Sequence, residues 1–195
     1  MSHDGAARDL VGYARACAAH EVCGGMAPPV PDNAVMSEVH GVFVTLNLHP
    51  SGDLRGCIGY PYPVMTLADA VDGAARAACH DPRFADLSPE ELDTITVEVT
   101  VLTVPRRMVA DGPADIPGRI VIGRDGLILE CMGRRGLLLP QVPLEQGWDA
   151  DEYLGHLSMK AGLPPSAWTW SGTELYTFEG KIYREVMPHG DTEEV

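Results

Sequence analysis

Lysine is nearly missing from this 195-residue chain: only Lys160 and Lys181 carry it among 14 basic residues. With 28 acidic residues the formal net charge is −14, and Arg106-Arg107 and Arg134-Arg135 come nearest to a basic patch. A phosphate backbone is repelled by such a surface, so nucleic-acid binding is not expected. The apolar runs, 41–46 for example, are too short to span a bilayer. The opening MSHDGAARDL is polar and charged rather than basic and then apolar, so no secretory leader is read and the expected location is cytoplasmic. There is no Cys-x-x-Cys pair, and five cysteines is an odd number, which disfavours a disulfide framework. Cys17, His20 and Cys23 stand at i, i+3 and i+6 without a second half-site, so small buried hydrophobes are the better account and neither metal nor cofactor is expected. GxSxG, Walker, dinucleotide GxGxxG and HExxH patterns are all missing, which removes support for the mechanisms they carry.

Hydrophobic residues make up 45% of the chain, enough for a sizeable core. Leu10, Val11, Ala14, Ala18 and Val22 recur at helical spacing over 4–23, ended by Gly24-Gly25. A proline-rich stretch follows to 38. From His40 to His49 the pattern alternates: Val42, Val44, Leu46 and Leu48 on one face, Phe43, Thr45 and Asn47 on the other. PSGD turns the chain and 54–59 returns as a hairpin arm. Thr66 caps a helix to Cys79 with an alanine-rich stripe. Residues 94–104 form the clearest strand, Ile95, Val97, Val99 and Val101 facing one way and Thr96, Glu98 and Thr100 the other. Hairpins turning through GRDG and GRRG, a helix over 149–161 capped by Asp149, and one or two strands over 174–186 complete the reading. Strands joined mostly by hairpins, with three helices between them, indicate an α+β fold with a mainly antiparallel sheet.

Leu54, Arg55, Gly56, Cys57, Ile58 and Gly59 form the most unusual segment. Glycine weakens a strand and marks a bulge or a close backbone approach, here with room for a substrate. Arg55 and Cys57 share a face if the strand is unbroken, and a guanidinium beside a thiol favours the thiolate. The plainer account is a structural cysteine in a kinked strand with Arg55 in a surface ion pair. Glu98, in mid-strand, either faces solvent or turns into a cleft. Arg83 in DPRF is a clamp for an anionic ligand or a turn residue paired with Asp81 or Asp86. Gln141 and Glu145 enter a cleft or stand as loop side chains. His40 and His49 are possible bases for Cys57 and otherwise strand-end residues.

LRGCIG, together with GVFVTLN (41–47), HDPRF (80–84), ELDTITVEVTVL (91–102), IGRDGLIL (122–129), GLLLPQV with its following Glu and GW (136–148) and KAGLPPSAW (160–168), resembles the AMMECR domain family along nearly the whole chain. The resemblance implies one domain over 1–195 with a larger and a smaller lobe and a cleft between them, the smaller within about 110–165. It carries over the motif residues Arg55, Gly56, Cys57, Gly59, Arg83, Glu98, Gln141 and Glu145, with Trp148. Ser158 stands where family members often have cysteine, which weakens any scheme that needs a second thiol there. No established reaction accompanies the family. Prokaryotic members are often named protein A of the AmmeMemoRadiSam system, which implies a Memo-like protein and a radical-SAM protein as partners. Two readings follow from the sequence: a protein that binds or converts a small molecule with Cys57 as nucleophile, Arg55 tuning it and Glu98 or Glu145 in acid–base work, or a non-catalytic adaptor for those two partners.

Overall fold

The computed structural model describes residues 3–195. In chain order its main elements are α1 (His3–Cys23), β1 (Gly41–Leu48), β2 (Leu54–Tyr60), α2 (Leu67–Ala78), β3 (Ile95–Leu102), β4 (Arg106–Arg107), β5 (Gly126–Cys131) and β6 (Arg134–Leu138). They continue with α3 (Gln141–Gln146), α4 (Ala150–Lys160), β7 (Glu174–Phe178), β8 (Gly180–Glu185) and β9 (Thr192–Glu194). The fold is α+β, with two antiparallel sheets in two compact units. Among the described residues no helix is long and apolar enough to cross a membrane.

The first unit takes in residues up to Leu102 and then Lys181–Val195. Its sheet runs β2-β1-β3-β8-β9, with β1 antiparallel to both neighbours. The two-residue period of β1 and β3 decides which face is covered: Val42, Val44, Leu46, Ile95, Val97 and Val99 are fully buried against α1 and α2. The alanines of α2 (Ala70, Ala74, Ala75 and Ala78) let that helix lie close to the sheet, and Thr66 caps it by accepting from Asp69 N–H. A polar network ties the layers together. Arg15 of α1 donates to both carboxylate oxygens of Glu185 and to the carbonyls of Leu92 and Ile95, and Glu185 accepts from Val97 N–H.

The second unit, Thr103–Gly180, has the sheet β4-β7-β5-β6 and a core of Leu127, Leu129, Tyr153, Leu154 and Leu157. Helix α4 begins with a capping box between Asp149 and Glu152 and stops before Gly162, which is left-handed (φ 72°). The β5–β6 hairpin turns at Met132 and Gly133 (φ 52° and 72°), both in the left-handed region a tight type I′ turn demands, so the turn shares only its second residue with the GRRG expected from sequence. GRDG joins no strands either: Asp125 folds back to accept from Val121 N–H, and β5 begins only after it. The stretch 174–186 divides into two strands belonging to different sheets.

Candidate functional site

The register of the first sheet sets Thr45 opposite Cys57 on one side and opposite Glu98 on the other. Cross-strand partners project to the same face, so Cys57, Thr45 and Glu98 form one row across β2, β1 and β3, on the face opposite α1 and α2. Two inter-strand steps put the Cα atoms of Cys57 and Glu98 about 10 Å apart, with Thr45 between them. Thr45 Oγ1 donates to Cys57 Sγ at 3.3 Å.

A bulge separates Arg55 from this row. Leu46 faces Gly56 and Asn47 faces Leu54, which leaves Arg55 as the extra residue. The alternation that would have brought Arg55 beside Cys57 is broken there, and the Arg55 side chain is buried on Glu91, with Nε to Oε1 at 2.7 Å and Nη2 to Oε2 at 3.0 Å. The guanidinium that serves Cys57 belongs to Arg83. Asp81, almost wholly buried, accepts from Cys57 N–H (2.9 Å), from Arg83 N–H (3.0 Å) and from the Arg83 side chain (2.6 Å). Arg83 Nη2 in turn reaches the Cys57 carbonyl at 3.4 Å. β2 is an edge strand, whose outward backbone groups need partners, and DPRF supplies both at Cys57. The Arg83 side chain holds the Asp81 carboxyl well below the usual carboxylate range, helped by the two backbone donors.

Burial raises the Cys57 thiol above its ordinary value. The Thr45 hydroxyl and the Arg83 charge work against that rise, and Asp81 and Glu98 add to it. The arginine-depressed thiolate expected from sequence is therefore replaced by a resting thiol with one hydrogen-bond donor on its sulfur. Cys17 and Cys79, in the core, are pushed up to about 12 by burial. Burial also raises the Glu98 carboxyl, opposed by Arg184 of β8.

The glycines give a second correction. A Cβ on Gly56 would strike the carbonyl oxygen of Ala78 at the end of α2, and one on Gly59 would strike the Phe43 ring and the Val42 carbonyl. The space expected for a substrate is filled by the protein's own atoms. His40 bonds the Leu102 carbonyl and Glu38. His49 lies four residues beyond Thr45, roughly 13 Å along the strand, so neither histidine reaches Cys57. Gln141 and Glu145 lie on the short helix α3 of the second unit, both exposed. Trp148 stacks on His156 with centroids 3.8 Å apart, and Ser158 is buried, donating to the Leu154 carbonyl. Thr45 is the site residue that sequence reasoning passed over, and Asp81, expected as a partner of Arg83, also holds the Cys57 backbone. Counting back across the PSGD turn from Cys57 would have reached Thr45.

Fold and site define a two-unit α+β protein with a cysteine-bearing polar row on one face of its larger sheet. The chain belongs to the AMMECR1 family, whose model matches residues 11–183. It is similar to Protein MJ0810 of Methanocaldococcus jannaschii, 47% identical over 182 residues that make up 93% of this chain and 90% of that one. A protein of Methanothermobacter thermautotrophicus is 48% identical over 181 residues, 91% of this chain and 93% of that one. The crystal structure of the uncharacterized protein PH0010 from Pyrococcus horikoshii superposes with a TM-score of 0.83 at 41% identity, over 98% of this chain and 97% of that one.

Proposed function

We propose that the chain binds and covalently converts a small electrophilic molecule on the Cys57–Thr45–Glu98 row. The observation that carries this reading is the Thr45 hydroxyl aimed at the Cys57 sulfur, on the same face as a half-buried carboxylate. A hydroxyl donor on sulfur stabilises the thiolate at the moment it forms. Burial leaves Glu98 more basic than an ordinary carboxylate, which makes it the better proton acceptor. In the step, Sγ bonds to the electrophilic carbon and the thiol proton passes through one water to Glu98. Glu98 then returns that proton to the group that departs with the bonding electron pair.

The test is acetylation by p-nitrophenyl acetate, located by peptide mass spectrometry. Acetyl transfer to Cys57 should slow on the order of tenfold or more in Glu98→Gln and vanish in Cys57→Ser. An unchanged rate in Glu98→Gln would remove Glu98 from the chemistry. A second reading, docking of a Memo-like or radical-SAM protein along the β2 edge, draws support from Leu54 and Phe84, which remain more than a third exposed there. A Cys57 inert to every electrophile, with a stable complex on mixing, would favour it.

A further inference from the structure

Beside Glu98, at the turn end of β1 and β3, the first unit holds a cavity of about 480 Å³ lined mainly by polar side chains. Asn47 and Thr96 are direct cross-strand partners, and Glu98 stands two residues beyond Thr96 on the same face. His49 closes the end of β1, and Arg184 and Glu193 form the wall from β8 and β9. Among the described residues, the side chains of Asn47, His49, Thr96 and Glu98 make no hydrogen bond within the protein. Side-chain polar groups that converge on a concavity and are not engaged within the protein are free to bond a ligand there.

The charges in the cavity select the class of ligand. Arg184 is engaged by Glu193, Nε to Oε1 at 2.8 Å, and Glu185 by Arg15. Among the described residues, Glu98 is left as the negative charge of the cavity without a direct ion-pair partner. Asn47 Oδ1, Thr96 Oγ1 and the Glu98 carboxylate give three acceptors at adjacent positions on one face. A primary ammonium has three donors, no acceptor and one positive charge.

We infer that this cavity is an amine site: it takes a small primary amine in its ammonium form, held by Glu98, Thr96 and Asn47. The inference rests on the reading that small-molecule chemistry occurs on this face and names the class of molecule. An ammonium held at Glu98 sits two inter-strand steps from Cys57, with Thr45 between them.

The experiment uses three four-carbon probes that differ in charge: n-butylamine, n-butanol and butyrate. Each is titrated into the ¹⁵N-labelled full chain and followed by amide shifts. Butylammonium should move the Asn47, Thr96 and Glu98 amides saturably, and the neutral and anionic probes should not. Binding should weaken at least tenfold in Glu98→Gln, which keeps the shape of the side chain, and severalfold in Thr96→Val. It should persist in Cys57→Ser. Equal shifts with butyrate, or unchanged butylammonium binding in Glu98→Gln, would overturn the amine site. A reactive Cys57 with no butylammonium shift defeats the amine site alone. Butylammonium binding beside an inert Cys57 defeats the covalent reading alone.

Discussion

Thr45 donates its hydroxyl hydrogen to the sulfur of Cys57 across 3.3 Å, from the directly opposing position on the neighbouring strand. The contact couples the motif cysteine to β1, a strand outside the motif, and it bonds the charged form of the thiol better than the neutral one. Thr45→Val keeps the shape and removes the donor. A hydrogen bond to a charged group is worth about 1.5 kcal/mol, so without it the Cys57 pKa should rise. The pH dependence of alkylation in the variant checks this, and an unchanged profile would mean the hydroxyl does not act on the sulfur.

Asp81 gives the fold an acid-side dependence. Its folded-state pKa lies below the unfolded value, so its contribution to stability is present above about pH 4 and is lost as pH falls through the folded value. Asp81→Asn should flatten urea stability against pH below about 4. It should cost about 1–3 kcal/mol at neutral pH, because a carboxylate serving Cys57 N–H and Arg83 is replaced by an amide. Parallel wild-type and variant curves across that range would show that Asp81 contributes nothing through its charge.

The glycines of the motif are packing positions. Gly56→Ala would press a methyl group into the Ala78 carbonyl, and Gly59→Ala into the Val42 carbonyl and the Phe43 ring. Backbone yields poorly, so each should cost about 1–3 kcal/mol. The loss should appear as a lowered urea midpoint even with no ligand present. Wild-type stability in both variants would return these positions to a role in ligand contact.

The Arg15–Glu185 pair is buried on both sides, and Glu185 also holds the β3 backbone through Val97 N–H. Removing one partner strands the other charge. Glu185→Ala should therefore cost about 3–5 kcal/mol in urea unfolding, well above the up to about 1 kcal/mol of the exposed Arg184–Glu193 pair. Equal losses at the two pairs would contradict the difference in burial.

Periodicity made the scaffold legible. The alternation in 40–49 and 94–104, the Thr66 cap and the alanine stripe of α2 all correspond to observed elements, because one covered face imposes a strict pattern on the residues that meet it. What escaped was set by pairing rather than by pattern. The bulge at Arg55 is invisible in β2 alone, since it exists only relative to β1, and it reassigns the guanidinium at Cys57 from Arg55 to Arg83. The turn at Met132-Gly133 uses the first glycine of GRRG and lies one residue earlier than that motif indicates, because methionine gives no left-handed signal. Asp81 was read only as a partner for Arg83. Its hold on Cys57 N–H depends on where the end of α2 meets the edge strand.

The most direct test is the pH profile of cysteine alkylation in the folded protein, resolved by peptide mass spectrometry, for wild type, Arg83→Ala and Arg55→Ala. Cys57 should label after exposed Cys23 and well before buried Cys17 and Cys79. Its apparent pKa should lie above the free-thiol value of about 8.5, rise further in Arg83→Ala and stay in place in Arg55→Ala. A Cys57 that labels only after unfolding, or whose pKa lies below the free value and follows Arg55, would contradict the account.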